Sequence, residues 1–496
     1  MINESYVIWG VSALEHDAAL SVIKDDQIVF AAHSERYSRI KNDATLNEPL
    51  IEEAISCAGL PDYIIYYEDS YLSNLRKYEA GHIEKNQLQD SVSQIKSELG
   101  KYSTVNKIPI LNVHHHEAHA AGGFFTSPFQ DALIAVVDAV GELETLSIWE
   151  GYGNSLVKIF SLPFPHSIGL FYSAITDRLH FKPNEEEFII MALAAFGSPN
   201  YVDILKADFI YDDPIPLFRL KKDLYQGIRN WRPEIINDAD VAASVQNITE
   251  DYILKILEYF QKQTKKEYLV FSGGVALNCV LNYKIRKSKL FRDMWIMPNP
   301  GDAGSSLGAA LAYLRKHITF ETAYLGTDIN REVDAKLAAS NLADGEIIGV
   351  ANGRAEFGPR ALGNRSLLAD PRKQYMKEKV NEIKMREAFR PFAPIVLAEF
   401  SSQYFDMDFL SPYMQYAVPC RQPDILPAVC HIDGSSRVQT IDEHSKSATY
   451  HILKEFYNLT GCPVLLNTSL NVKGEPIVNT WNDAIAFQDK CKIKIY

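Results

Sequence analysis

Histidines are concentrated in one short segment, VHHHEAHA at residues 113–120, where four of them fall within six positions. His115 and His119 are four positions apart, so on a helix both imidazoles project from one face and can bind one metal ion. Asp138 ends a predicted strand, and Asp302 lies in a glycine turn at the start of a predicted helix. Two imidazoles with carboxylates suit Fe(II), Mn or Zn better than Mg. A lone histidine is more often a core or surface residue, but this density of histidines predicts a metal site.

Two glycine turns follow predicted strands, as expected where a backbone closely approaches a nucleotide. The first is SGGVALN at residues 272–278, and the second is MPNPGDAGSSLG at residues 297–308. Either turn alone is a weak signal, because glycines often serve only turn geometry. The second turn also contains a formal G-x-S-x-G pattern, which we discount because prolines interrupt the strand that a nucleophile elbow requires. No Walker A or G-x-G-x-x-G pattern occurs, which disfavours P-loop and Rossmann folds.

Arginines dominate the segment GRAEFGPRALGNRSLLADPR at residues 353–372. Guanidinium groups in a rigid loop of glycine and proline suit phosphates or carboxylates better than a solvated face does. The pattern continues with Arg386, RPFAP at 390–394, HIDGSSR at 431–437 and LNTSLN at 466–471. A basic pocket within an acidic protein predicts a small polyanionic substrate.

The elements that position these residues follow an α/β pattern that occurs twice. Residues 6–33 and 131–163 each predict three successive strands, with Asp17 or Asp138 near the turn after the first strand. This repetition predicts a duplicated α/β domain of the acetate-kinase, sugar-kinase and actin type, with a nucleotide in the cleft between the halves. Helices are predicted over residues 47–59, 84–100, 241–264 and 305–316, and strands over 267–272 and 347–351. A new unit is expected to begin near residue 322.

Composition limits the class of protein. The chain has 496 residues, is 47% hydrophobic and carries a formal charge of −13, which excludes disordered and fibrous proteins and disfavours indiscriminate binding to nucleic acid. The length suits three domains of average size or two large ones. None of the six cysteines forms a C-x-x-C pair, which suits a reducing cytoplasm. The start of the chain lacks a signal-peptide pattern, and the longest apolar run, residues 188–196, is too short to span a bilayer.

Taken together, the motifs resemble the O-carbamoyltransferase family, which modifies natural products and nodulation factors. The resemblance runs through nearly the whole chain, in family order. The matching strings are HDAA at 16–19, HHEAHAA at 115–121, VDAVGE at 137–142, PHSIGL at 165–170, KPNE at 182–185, FSGGVALN at 271–278, GDAG at 301–304, EFGPRALGNRS at 356–366 and PVLLNTS at 463–469.

This resemblance implies two domains with different tasks. Residues 1–321 would be similar to the tRNA threonylcarbamoyl-transferring metalloenzymes, and residues 322–496 to the threonylcarbamoyl-adenylate synthases. The second domain would join carbamoyl phosphate and ATP, with Mg, into carbamoyl-adenylate. The first would transfer the carbamoyl group to an acceptor hydroxyl.

The family positions also imply roles for individual residues. The metal ligands would be His115, His119, Asp138 and Asp302, and His16 would be the general base. Nucleotide contacts in the first domain would come from Gly141, Glu142, Asn184, Ser272, Gly273, Gly274 and Asn278. Carbamoyl phosphate and ATP would be bound by Arg354, Arg360, Asn364, Arg365, Arg390, Arg437, Asn467, Ser469 and Asn471, among which Arg360 and Arg365 would be catalytic.

The chain departs from the family pattern in two places. At residues 184–192, NEEEFIIMA lacks one lysine and two glycines of the family motif, so the cleft is expected to be tighter there. The family's terminal strand is expected to be missing, which leaves either a shorter sheet edge or one completed by a partner subunit in a homodimer.

The acceptor stays open at this point between a small-molecule alcohol and a hydroxymethylated pyrimidine in a nucleotide or nucleic acid. Basic stretches at residues 219–232 and 284–292 fit either solvated helix faces or contact with an anionic acceptor. Two other functions are also considered: a sugar-kinase-like phosphotransferase, and a non-catalytic nucleotide-binding regulator of the same fold.

Overall fold

The computed structural model describes residues 5–81, 83–84, 91–101, 105, 107–387 and 389–496. The chain forms two compact units, the first from residues 1–31 and 44–320 and the second from residues 32–43 and 321–496. Residues 32–43, which include helix α1 (Glu35–Ser38), therefore group with the second unit. A single boundary near residue 322 would leave them in the first.

The first unit contains two five-stranded sheets of the same topology. One has the order β3-β2-β1-β4-β5, and the other has the order β8-β7-β6-β9-β10. In each sheet the first strand in the chain pairs antiparallel with the second and parallel with the fourth. The predicted duplication is therefore confirmed. The strands are β1 (Val7–Ser12), β2 (Ala19–Lys24), β3 (Gln27–His33), β4 (Tyr63–Tyr66), β5 (Ile110–Asn112), β6 (Asp131–Val137), β7 (Glu144–Tyr152), β8 (Ser155–Pro163), β9 (Tyr268–Ser272) and β10 (Asp293–Trp295).

Helices of the first unit begin and end largely where capping residues predict. In α2, the Asn47 side chain accepts a hydrogen bond from the Leu50 amide, and Gly59 follows the last turn with φ of 88°. The predicted helix over residues 84–100 is observed from Ser91, while residues 85–90 lie outside the described part of the chain. The helices are α2 (Glu48–Ala58), α3 (Ser70–Glu79), α4 (Ser91–Gly100), α5 (His115–Phe124), α6 (Ile168–Arg178), α7 (Glu187–Leu193), α8 (Val202–Phe209), α9 (Asp238–Thr264), α10 (Cys279–Lys287) and α11 (Ser305–Leu314).

Helices α5 and α11 approach each other closely enough to require glycine. A Cβ atom at Gly308 would lie 2.0 Å from the carbonyl oxygen of Ala118, and one at Gly122 would lie 3.1 Å from the Cα atom of Gly308. Both helices are lined with alanine and glycine at this contact, so the backbones meet directly. This approach brings the start of α5 and the start of α11 to the same region.

The second unit is built on a six-stranded sheet of order β18-β15-β19-β14-β12-β20, with two small two-stranded sheets, β11-β13 and β16-β17. Its strands are β11 (Tyr324–Ile329), β12 (Ile348–Ala351), β13 (Gly353–Glu356), β14 (Arg365–Ala369), β15 (Ala393–Leu397), β16 (Ala417–Pro419), β17 (Ser435–Arg437), β18 (Gln439–Ile441), β19 (Val464–Ser469) and β20 (Lys494–Ile495). Its remaining helices are α12 (Ala335–Ala343), α13 (Tyr375–Lys384), α14 (Ser401–Tyr404), α15 (Ala448–Thr460) and α16 (Trp481–Cys491).

The expectation that the terminal strand is missing is wrong. Strand β20 pairs in parallel with β12 at the edge of the large sheet, and the Tyr496 carbonyl accepts a hydrogen bond from the Ala351 amide. The strand is only two residues long, so its sequence signal is too weak to recognise.

Arg365 is buried inside the second unit, where its side chain holds several elements together (its bracing role). It begins β14 with no exposed surface, and burial lowers the pKa of its side chain to about 10. Its three guanidinium nitrogens donate hydrogen bonds to the backbone carbonyls of Thr327, Asn352, Gly353, Asn364 and Asn479. Its guanidinium therefore joins β11, β13, β14 and the start of α16. The prediction had this guanidinium bind phosphate, whereas in the structure its nitrogens donate to backbone carbonyls.

We expect Arg365→Ala to lower the free energy of unfolding by about 3 kcal/mol or more, because buried carbonyls would lose their donors. Urea denaturation measures the change. The control is Arg421→Ala, which removes a half-exposed ion pair with Asp406 and is expected to cost less than about 1 kcal/mol. Equal stability of the two variants would contradict the bracing role.

Candidate functional site

The four residues predicted as metal ligands lie together in the first unit. One ligand atom from each of His115, His119, Asp138 and Asp302 can be chosen so that all lie within 4.8 Å of one another. The His119 Nε2 atom lies 3.1 Å from Asp138 Oδ2 and 3.2 Å from Asp302 Oδ1. The corresponding distances from His115 Nε2 are 3.4 Å and 3.5 Å.

The spacing of this set fits a first-row divalent metal ion. Four ligand atoms about 2.1 Å from a metal ion at the corners of a tetrahedron lie about 3.4 Å apart. The two imidazole Nε2 atoms, which are 3.1 Å apart, and the four nitrogen–oxygen distances all lie close to that value. The donors, two imidazoles and two carboxylates, also belong to the types that Fe(II), Mn and Zn accept.

The electrostatics of the set favour a cation. Burial alone would lower the pKa of His115 and of His119, but Asp138 and Asp302 outweigh it and raise both. Burial opposes ionisation of Asp138 as well, yet the two histidines hold its pKa below the ordinary value. Two carboxylates are thus held in a buried place, where a divalent cation would take over the compensation that protonated histidines give in the unliganded set.

Three elements bring the ligands together. Both histidines lie in the first turns of α5, Asp138 directly follows β6, and Asp302 begins a short 3-10 helix that leads into α11. The N-terminus of α5 is held by Glu142, whose Oε1 accepts hydrogen bonds from the amides of His115, at 3.1 Å, and Asp69, at 2.6 Å. The other two histidines of the cluster point elsewhere: His116 contacts Ser147, and His114 contacts Glu142.

A second layer of contacts orients the two imidazoles. The His115 Nδ1 atom faces Glu68 Oε2 at 3.6 Å, and the His119 Nδ1 atom lies 3.1 Å from Ser305 Oγ. In both rings the Nδ1 atom faces this layer and Nε2 faces the ligand set, as outer partners of metal-binding histidines generally arrange. Neither Glu68 nor Ser305 is among the predicted site residues. Glu68 follows β4 and belongs to no recognisable motif.

His16, the predicted general base, lies next to the ligand set. Its Nε2 atom is 3.5 Å from Asp302 Oδ2, and its Nδ1 atom is 3.3 Å from Asp17 Oδ2. Burial would lower the pKa of His16, but the hydrogen bond with Asp17 and the charge of Asp302 raise it to about 10.

The SGG turn packs against the end of β6. Gly273 has φ of 89°, and a Cβ atom there would lie 2.3 Å from the Val137 carbonyl oxygen. A Cβ atom at Gly274 would lie 2.9 Å from Asp138 Oδ1. Ser272 is buried at the end of β9. These glycines therefore make room for a predicted ligand, and their contact with a nucleotide stays a prediction.

Several other predicted nucleotide contacts already have partners within the unit. Asn278 caps α10 through the Leu281 amide and also pairs with Gln246. A Cβ atom at Gly141 would lie 3.0 Å from the His115 ring. Asn184 adopts φ of 63° and its amide donates to Glu187 Oε1.

The altered stretch at residues 184–192 forms most of α7. Ile189, at the position where the resemblance leads us to expect a lysine, is fully buried.

The second unit contains a cluster of cations, which we call the cationic cluster: Lys384, Arg386, Arg390 and Arg437. Burial, together with Arg390 and Arg437, lowers the pKa of Arg386 to about 8. Burial, with Arg386 and Arg390, also holds the pKa of Lys384 well below its ordinary value. These groups repel one another in a buried place, so an anion bound among them would relieve the repulsion.

Lys384 is not among the predicted site residues, because a lysine at the end of a helix is usually solvated. Here it is buried, and its ammonium group donates to Ser469 and Asn471, two of the predicted residues. Those residues hold Lys384 in position. Arg386 belongs to the arginine pattern of the sequence but not to the predicted site residues, and its side chain packs over the Phe392 ring at 4.1 Å.

Most of the remaining predicted residues of the second unit form hydrogen bonds within that unit. Arg354 donates to the Gly326 carbonyl, and the Asn364 side chain joins the Arg354 carbonyl to Ser447. Asn467 donates to Gln439. Arg360 is half-buried on the loop between β13 and β14. Arg354, Asn364 and Asn467 thus contribute hydrogen bonds to the unit itself.

The basic stretches at residues 219–232 and 284–292 carry paired charges. Arg219 forms an ion pair with Asp213, and Arg229 forms one with Asp177. Ion pairs of the same kind join Arg232 to Asp208 and Arg286 to Asp293. The pairing favours solvated faces over contact with nucleic acid. No helix in the described parts of the chain combines the length and apolar character needed to cross a membrane.

Comparison with known proteins gives a consistent result. The family described as carbamoyltransferase N-terminus matches residues 7–311, and the family described as carbamoyltransferase C-terminus matches residues 339–496. An uncharacterised protein of Synechocystis sp. is 36% identical over 96% of this chain and 93% of its own length.

Two named proteins are also similar. Nodulation protein NolNO of Sinorhizobium fredii is 32% identical over 95% of this chain and 76% of its own length. The 3'-hydroxymethylcephem-O-carbamoyltransferase of Amycolatopsis lactamdurans is 27% identical over 95% of this chain and 94% of its own length.

We expect His119→Ala and Asp302→Asn each to weaken binding of Mn²⁺ or Fe²⁺ by at least about 100-fold. Loss of a residue that only orients a ligand costs up to about 100-fold in metal affinity, and loss of a ligand itself should cost at least as much. Isothermal titration calorimetry on metal-stripped protein measures the affinity. The matched control is His114→Ala, because His114 is 60% exposed and lies outside the ligand set. Equal affinities in all three variants would contradict the assignment.

We expect Glu68→Gln to weaken metal binding by about 10- to 100-fold, because the His115 ring would lose its charged partner. The same titration measures the change, and circular dichroism checks that the fold is kept. Glu52→Gln, at an exposed position of α2, serves as the control. Unchanged affinity in a folded Glu68→Gln protein would remove Glu68 from the site.

Proposed function

Because the chain belongs to the carbamoyltransferase family, we propose that it makes carbamoyl-adenylate from ATP and carbamoyl phosphate and passes the carbamoyl group to an alcohol. One observation carries this proposal: each unit has its own site, and the two sites differ in chemistry. The second unit has the cationic cluster, and the first has the histidine and carboxylate set.

The first half-reaction belongs to the second unit in this proposal. Carbamoyl phosphate, ATP and water give carbamoyl-adenylate, phosphate and pyrophosphate, so two polyanions must meet. Lys384, Arg386, Arg390 and Arg437 would neutralise that charge and stabilise the charge that develops as the substrates react. Their mutual repulsion in the unliganded protein supports this role, because Glu387, which pairs with Arg390 and also acts on Arg386, offsets only part of it.

The second half-reaction belongs to the first unit. The acceptor oxygen attacks the carbamoyl carbon, a new carbon–oxygen bond forms, and the bond to the adenylate phosphate breaks to release AMP. His16 would take the proton of the hydroxyl from its half-exposed position beside the ligand set. It can do so only in its neutral form, which a divalent cation held by Asp302 would favour by offsetting the carboxylate charge that raises its pKa in the unliganded protein. A divalent cation held by His115, His119, Asp138 and Asp302 would supply Lewis-acid stabilisation of the adenylate phosphate. Glu68 and Ser305 would hold the two imidazoles in the required orientation.

The acceptor is proposed to be a small molecule with a hydroxyl group. The paired charges of the basic stretches support a small acceptor over nucleic acid. One relative is a 3'-hydroxymethylcephem-O-carbamoyltransferase, a name that specifies a hydroxymethyl acceptor.

We expect metal-loaded protein to release pyrophosphate only when ATP and carbamoyl phosphate are both present. Arg390→Ala should reduce the rate by about 100-fold or more, as expected when one preorganised charge is removed. His119→Ala should keep pyrophosphate release in the absence of acceptor. An enzyme-coupled pyrophosphate assay and nucleotide chromatography give the readouts, with Arg421→Ala as the arginine control.

Two outcomes would contradict the proposal. Formation of ADP without any need for carbamoyl phosphate would identify a phosphotransferase. Nucleotide binding with no pyrophosphate release from folded, metal-loaded protein would identify a non-catalytic regulator.

A further inference from the structure

Residues 32–43 form part of the second unit, although the chain on both sides of them belongs to the first. Two neighbouring side chains of α1 bond to the rest of the second unit. The Arg36 Nη2 atom donates a hydrogen bond to the Gly358 carbonyl at 3.0 Å, and the Tyr37 and Thr327 hydroxyl oxygens lie 3.0 Å apart. This stretch therefore contacts two different parts of the unit.

The Gly358 carbonyl belongs to the loop between β13 and β14, which also carries Arg360, a predicted contact of the phosphate substrates. After Arg360, the loop is held by Glu356, whose Oε1 accepts a hydrogen bond from the Leu362 amide at 2.7 Å. Before Arg360, the loop is held by Arg36 at Gly358, where φ of 150° is a backbone conformation that favours glycine. The two side chains thus fix the loop on both sides of Arg360.

Arg36 is a costly group to bury. Its side chain is only 3% exposed, and among the described residues neither Nε nor Nη1 has a hydrogen-bond partner. The Nε atom lies 3.6 Å from Glu35 Oε1, but Glu35 also pairs with Lys41 at 2.7 Å. A buried guanidinium with so little compensation adds little to stability. What its hydrogen bond holds explains its presence better.

We propose that Arg36 is a positioning residue for the first half-reaction, in which its hydrogen bond to Gly358 sets the place of Arg360. Arg36 itself touches no substrate in this proposal and acts through the loop. A stretch whose neighbours in sequence belong to the first unit thus completes a loop of the second.

The consequence for the reaction follows from the geometry that charge stabilisation needs. A cation must meet the charge that develops between two polyanions, and a misplacement of about 1 Å can cost about 100-fold in rate. Without Arg36, the loop before Arg360 would lose its side-chain contact at Gly358. The inference rests on the proposed function, because that function gives Arg360 its contact with the substrates.

Hydrogen exchange followed by mass spectrometry tests the hold on the loop without any substrate. Arg36→Met keeps an apolar stem and removes the donors, so the fold is expected to be kept. In full-length protein we expect the peptide spanning residues 357–364 to exchange at least about 10-fold faster in Arg36→Met, because the loop opens more readily. The matched control, Tyr37→Phe, should exchange there at the parent rate.

Unchanged exchange of this peptide in a folded Arg36→Met protein would overturn the inference, whether or not the protein makes carbamoyl-adenylate. Arg36→Lys gives a second variant that keeps a cationic donor, and its exchange should lie between those of the parent and Arg36→Met.

A double-mutant cycle on pyrophosphate release tests whether Arg36 acts through Arg360, with radiolabelled ATP to detect slow release. We expect Arg36→Met to lower kcat by about 10- to 100-fold in the parent. In an Arg360→Ala background it should lower kcat by less than about 3-fold, since the residue that it positions is already gone. Tyr37→Phe should leave kcat at the parent value.

The same factor in both backgrounds would overturn the inference, because Arg36 would then act independently of Arg360. A parent protein that releases no pyrophosphate would instead contradict the proposed function, and the exchange measurement separates that outcome from a failure of the positioning role.

Discussion

The first unit depends on the convergence of two imidazoles and two carboxylates in a buried place. Without a bound cation, the charges of Asp138 and Asp302 are compensated by the histidines around them, whose pKa values the two carboxylates raise. Three contacts maintain that arrangement: the close approach of α5 and α11 at Gly308, the packing of the SGG turn against β6, and the hydrogen bond from the His115 amide to the Glu142 side chain. These contacts therefore bring the four side chains of the predicted metal site within 4.8 Å of one another.

The second unit also holds side chains of like charge close together, but here the charges are positive. Lys384 lies buried and Arg386 partly buried beside other cations, and both are held by side-chain and backbone oxygens, so their charge is only partly compensated. Such a cluster is costly in the absence of a ligand and favourable when phosphates bind. One unit thus has a site suited to binding a cation, and the other has a site suited to binding anions. This combination supports the proposed reaction, in which an activated phosphate compound is made and then consumed.

The duplicated topology and the shared helix face of His115 and His119 can be predicted from the sequence because both rest on local signals, whereas the convergence of Asp138 and Asp302 on them is expected from the family resemblance. Alternating apolar strands predict the two meanders, and the four-residue spacing of His115 and His119 predicts a shared helix face. Lys384, Glu68 and Ser305 could not be found in this way, because their roles arise from contacts between elements distant in the chain. Arg365 shows the converse: its motif resembles a phosphate loop, yet its guanidinium is engaged by backbone carbonyls. The two-residue β20 carries too little pattern to be recognised.

X-ray absorption spectroscopy of the protein loaded with Fe²⁺ or Mn²⁺ tests the central claim most directly, because it reads the ligand shell of the ion itself. A shell containing two imidazole nitrogens together with carboxylate oxygens, at about 2.0–2.2 Å, is the predicted result. The imidazole contribution should disappear in part when His119 is replaced by alanine. A shell made only of oxygen in the parent protein would contradict the account.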